Sequence, residues 1–166
     1  YEGRVGQWSE GWFAGMKGDL RDEQGNAKEV FGYLLPTWGL HYTLKPNAPD
    51  TTGDWGMIEG PSAWRWGGTW VGAYKDTKSP ELAKDFIKYV ATDDVFLEKW
   101  ANTTGDVVSN INVVNKIKDT YSDAFLNGQN HYKVFAELAK NVDGKLTQGT
   151  DQVIDSMFSE ATVAYV

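Results

Sequence analysis

The apolar pattern changes character near residue 79, and this break constrains the fold more than any other feature of the chain. Before it, Gly, Pro and Asn punctuate short β-friendly runs at 5–8, 29–35, 54–59 and 69–74. In the last run Thr69, Val71 and Ala73 alternate with Trp70, Gly72 and Tyr74, the period of a strand. Residues 22–26 read as a polar hairpin tip, and 45–50 as a loop stiffened by Pro46 and Pro49. After the break the period is helical. Ser79 and Pro80 suit a helix start, and Leu82, Ala83, Phe86, Ile87, Val90 and Ala91 follow on one stripe. A second helix is expected from about 93 to 100 or slightly beyond, stopping near Gly105, and a third should carry Val113, Val114 and Ile117. A fourth spans about 131–140 with Val134, Phe135, Leu138 and Ala139 on one side. The last, capped by Thr150, presents Val153, Ile154, Met157, Phe158 and Ala161. A strand-and-turn half followed by a helical half predicts the α/β class.

Composition narrows the chemistry. The chain has 166 residues, 41% hydrophobic and 14% aromatic, enough to fold, and a net charge of −7 that argues against a nucleic-acid partner. Cysteine is absent, which removes disulfides, thiol nucleophiles and thiolate metal sites. The only histidines, His41 and His131, have no partner at metal-ligand spacing and read as structural or ligand-contacting polar groups. No apolar run approaches the length of a membrane span. Neither a dinucleotide fingerprint nor a phosphate loop occurs. Asp19, Asp22 and Asp50 fit turn chemistry better than a calcium loop. No cofactor, metal or catalytic residue is expected.

Eight tryptophans stand out, seven of them before residue 71. Trp100, on an amphipathic helix, belongs in a core. Trp12, Trp64 and Trp66, and after them Trp8, Trp38 and Trp70, lie in turn-rich sequence where cores are small. Each of these indoles suits either a core or a ligand with an apolar C–H face rimmed by hydroxyls, which describes a sugar, the two readings standing even for Trp12, Trp64 and Trp66 and the core favoured for Trp8, Trp38 and Trp70. Base stacking would use the same rings but normally comes with a cationic groove. Glu10, Asp54 and Glu59 lie among the indoles, and paired carboxylates beside such platforms would equip a glycosidase.

Four strings, GRVGQWSEGW at 3–12, GDWGMIEGP at 53–61, GGTWVGA at 67–73 and SPELAKDFIKYV at 79–90, together resemble the second half of extracellular solute-binding proteins of family 1. These are the maltose-binding-protein-like receptors of bacterial ABC sugar importers. The resemblance covers nearly the whole chain and rests on the order and spacing of the strings. It implies a periplasmic-binding-protein-like class II α/β fold and a lone piece of a longer parent whose first lobe is missing. On that pattern 1–66 is a segment of the C-terminal lobe, 67–106 is a hinge return with helices packing toward the other lobe, and 107–166 is a helical segment. Trp12 matches the sugar-stacking tryptophan of a small-x-Gly-x-Trp loop that ends a strand. Glu10, Trp8, Trp64, Trp66, Gly67 and Gly68 are implied around the ligand, with Gln129, Asn130 and Asp151 near the cleft to meet hydroxyls. Trp38 and His41 fall in an insertion that departs from the pattern, and Trp38 joins the ligand set on its aromatic character alone.

The function implied is a non-catalytic, monomeric receptor that captures a sugar or oligosaccharide and passes it to a membrane permease. It would work in the periplasm or outside the cell, there as a surface lipoprotein. A fragment of a carbohydrate-active enzyme and a non-catalytic interaction module are the alternatives. Micromolar affinity requires about 8 kcal/mol net, which half a cleft does not supply, so weak binding is expected of this chain alone.

Overall fold

A computed structural model describes residues 5–146 and 148–165, without the side chain of Leu146. Gly3 and Arg4 of the first string lie outside the described residues. The α-helices are α1 (Glu10–Met16), α2 (Lys45–Asn47), α3 (Pro80–Thr92), α4 (Asp94–Thr104), α5 (Ile111–Ile117), α6 (His131–Leu138) and α7 (Asp151–Tyr165). The chain forms two compact units, one from 5–33 with 142–165 and the other from 34–141.

The α/β class II expectation does not hold. Among the described residues the only strand pairing is two isolated antiparallel bridges, Arg21 with Ala27 and Asp123 with Gln129. The runs at 5–8, 29–35, 54–59 and 69–74 are turns and irregular chain. Alternation defines the two faces of a strand but not its neighbour, and a ladder needs a second backbone to take its N–H and C=O groups. Among the described residues 69–74 forms no ladder, its Tyr74 carbonyl accepting a turn bond from Thr77 N–H at 3.1 Å, and Gly67 and Gly68 before it and Gly72 within it weaken an extended run. The polar tip at 22–26 does form. The Asp22 carboxylate accepts from the Asn26 side-chain amide at 3.1 Å and from the backbone N–H of Asn26 and Gln24 at 2.8 and 3.1 Å, which together hold it below the usual carboxylate range, and the flanking bridge closes the turn.

In the larger unit α3 packs on α4, α4 on α5 and α5 on α6. Capping explains the boundaries. Asp93 accepts from Phe96 N–H at 2.7 Å to open α4, and Gly105, in the left-handed region at φ 74°, closes it. Asn110 accepts from the N–H groups of Asn112 and Val113 to open α5, while its amide N–H₂ reaches Asp94 at 2.7 Å and the Thr92 carbonyl at 3.3 Å. One side chain thus ties the ends of three helices. The core gathers Leu97, Ala101, Val108, Val113, Val114, Ile117 and Tyr132. A π-helical turn, Leu40–Leu44, runs into α2 and buries Leu40 and Leu44. On α3 only Ala83, Ile87 and Val90 are partly covered, whereas Leu82, Phe86 and Tyr89 are exposed.

In the smaller unit the segment expected to lead out of a strand is instead helix α1, opened by Ser9, whose hydroxyl accepts from Trp12 N–H at 3.2 Å. Gly15 is required by close approach, since a Cβ there would stand 2.4 Å from the Tyr33 hydroxyl and 2.8 Å from Val30 Cγ2. In α7 every residue from Asp151 to Tyr165 is exposed, the stripe of Val153, Ile154, Met157 and Phe158 included.

Candidate functional site

Five tryptophans fall into two clusters, one in each unit. In the larger unit Trp38, Trp64 and Trp66 form a chain of rings. Trp64 and Trp66 lie 6.1 Å apart between centroids with planes inclined at 38°, and Trp38 lies 5.7 Å from Trp66. The Trp38 indole N–H donates to the Trp66 carbonyl at 3.2 Å, which fixes the loop that carries the other two. Trp64 and Trp66 keep 44% and 38% of their surface, and Trp100, expected in a core, keeps 37% at the surface of α4. Gly67 and Gly68 follow with φ of 70° and 147°, conformations open to glycine, and they turn the chain away immediately after Trp66. Arg65 lies between Trp64 and Trp66 in sequence. Its Nε–H donates to the Gly67 carbonyl at 3.2 Å and its guanidinium carbon lies 5.9 Å from the ring centre of Trp70, itself 85% exposed.

In the smaller unit Trp12 is the third residue of α1 and half-buried. Trp8, Phe13 and Tyr33 surround it at 5.1, 5.1 and 5.3 Å, and the Tyr33 hydroxyl donates to the Trp12 carbonyl at 3.0 Å. Trp8 is the exposed ring of this group, on a left-handed backbone at φ 69°. Glu10 is the first residue of α1 and points to solvent.

The polar residues expected to count hydroxyls have structural tasks. Gln129 Oε1 accepts from Met57 N–H at 2.6 Å and its Nε2 donates to the Met57 carbonyl, so the amide acts as a one-residue ladder partner for the 54–59 segment. Asn130 caps α6 by accepting from Lys133 N–H at 3.0 Å and donates to the Lys118 carbonyl at 2.6 Å. Asp151 starts α7 and accepts from Gln148 N–H at 2.9 Å. Trp55 donates its indole N–H to Thr51 Oγ1 at 2.7 Å. Of the glycosidase carboxylates, Glu10 belongs to the smaller unit, and Asp54 and Glu59 to the larger; all three are exposed.

One buried polar cluster in the larger unit was not legible as a cluster. His131 is fully buried and its Nε2 lies 2.6 Å from the Gly105 carbonyl, so that nitrogen carries the proton. The bare Nδ1 faces the Asp123 carboxylate at 3.7 Å and has no hydrogen-bond partner among the described residues. Asp123, also buried, is paired with Lys45 at 2.7 Å. Burial pulls the His131 imidazole below its ordinary range, against the pull of Gly105 and Asp123. Burial also pushes the nearby Tyr121 hydroxyl to about 12 and raises Asp106, which the Trp100 indole and His41 partly offset. Tyr132 donates its hydroxyl to the Asp106 carbonyl. The cluster joins the C-terminus of α4 to the N-terminus of α6 and to α2, and gives a scaffold rather than an open cavity. No grouping of His, Asp and Glu suited to a metal ion occurs among the described residues.

No family model, curated protein or solved structure matches the chain.

Proposed function

We propose that the chain captures a sugar or oligosaccharide on the indole face of Trp64, Trp66 and Trp38, as the substrate-binding component of a bacterial ABC importer working outside the cytoplasm. The observation that carries the sugar half of this reading is the exposure of two adjoining indoles on a loop held by the Trp38 N–H. Two planes inclined at 38° offer one face to each of two successive pyranose rings. The transport half rests on the order of the four sequence strings. The buried His131 and Asp123 lie away from solvent and the exposed carboxylates are assigned no catalytic step, so binding without turnover is the activity proposed.

The test is isothermal titration of the chain with neutral di- to tetrasaccharides. Dissociation constants in the millimolar range, about 4 kcal/mol net, are expected, weakening at least tenfold in Trp64→Ala and in Trp66→Ala. Absence of saturable binding by folded protein to any saccharide contradicts the reading.

A further inference from the structure

We infer that this platform selects saccharides carrying a carboxylate, uronic-acid units in particular, and that Arg65 is the residue that reads it. The inference rests on the sugar-binding proposal above and adds the charge of the ligand.

Arg65 is the sole charged residue between Glu59 and Lys75, in a chain whose net charge is −7. It stands between the two exposed indoles in sequence and is itself exposed. Among the described residues no carboxylate lies within ion-pair distance of it. Its contacts fix the group without consuming its charge. Nε donates to the Gly67 carbonyl at 3.2 Å, and the carbon sits 5.9 Å from the Trp70 ring centre, a cation–π distance. A guanidinium has five N–H donors, and with Nε engaged the end-on edge of Nη1 and Nη2 remains for a planar acceptor. Gly68 runs close to the guanidinium, since a Cβ there would lie 3.6 Å from Nη2, in van der Waals contact with it. Two parallel N–H donors match the two oxygens of a carboxylate. An uncompensated cation flanked in sequence by the two platform indoles and held against the Trp70 ring therefore fits a sugar acid better than a neutral sugar.

The experiment titrates the chain with a neutral and a uronate trisaccharide of equal length. The uronate is expected to bind about fivefold to tenfold tighter at low ionic strength, and the ratio should shrink toward one in about 1 M salt. Arg65→Gln should collapse the ratio to near one and Arg65→Lys should restore only part of it, because an ammonium keeps the charge and loses the fork. Lys75→Gln, a neighbouring exposed cation paired with Asp76, should keep the full ratio. Equal affinities for the two sugars, or a preference that survives Arg65→Gln, overturn the assignment of Arg65 while leaving sugar binding intact. Binding of neither sugar overturns both proposals.

Discussion

Gly105 shows how much a single position can hold. It has φ 74°, and a Cβ there would stand 2.9 Å from the Tyr121 hydroxyl, 3.0 Å from Asp123 Oδ2 and 3.3 Å from Lys45 Nζ. Its carbonyl is the partner of buried His131. Gly105→Ala is expected to lower unfolding free energy by about 2 kcal/mol, measured by urea denaturation; a loss below about 0.5 kcal/mol would contradict this view of the cluster. The sequence marked Gly105 as a helix stop, because the helical stripe ends there. It left His131 as a generic polar residue, since its partners Gly105 and Asp123 are 26 and 8 positions away, and Lys45, which pairs with Asp123, is 78 positions from that carboxylate, so no local spacing records them. The pH consequence follows from burial. Unfolded chain protonates His131 as pH falls through about 6.5, while the folded imidazole resists until lower pH, so stability should drop progressively below about pH 6.5. Asp106, raised by burial, acts in the opposite sense: its cost is present at neutral pH and is relieved as pH falls through its folded value. The thermal midpoint should therefore fall between pH 7 and pH 5, and fall less in His131→Gln. An identical pH slope in that variant would remove His131 from the explanation.

At the scale of elements, helices were legible where a cap stands beside a stripe. Asp93, Asn110 and Asn130 each accept a backbone N–H at the start of a helix, and Gly105 ends one. Helix α1 was not legible, because Gly11 and Gly15 are poor helix formers, and Trp12 and Phe13 suit a strand as well. The expected strands failed for the reason that pairing is non-local: the 54–59 segment finds its partner in the Gln129 side chain instead of a neighbouring strand. Gln129→Ala should therefore speed hydrogen exchange at the Met57 amide, with little change at amides inside α5. Asn110→Ala removes a cap and the links to Asp94 and the Thr92 carbonyl together, and a loss of about 1 to 2 kcal/mol in unfolding free energy is expected. A neutral effect would show that the junction of α3, α4 and α5 is held by apolar packing alone.

For the whole molecule, the sequence was informative about which residues are unusual and less so about how they group. Exposed indoles at 64 and 66 were foreseeable from glycine-rich surroundings; the enclosure of Trp12 by Trp8, Phe13 and Tyr33 depends on a helix the strand pattern concealed. No described helix is long and apolar enough to cross a membrane. The eight tryptophans give the most direct readout of the proposed platform, because each indole N–H has its own resonance. A ¹H–¹⁵N titration of the chain with an oligosaccharide should shift the indole signals of Trp64, Trp66 and Trp38 along saturable curves sharing one dissociation constant. Trp55, hydrogen-bonded to Thr51, should stay in place. Shifts confined to other tryptophans, or no saturable shift at all in folded protein, would contradict the claim that this indole face binds sugar.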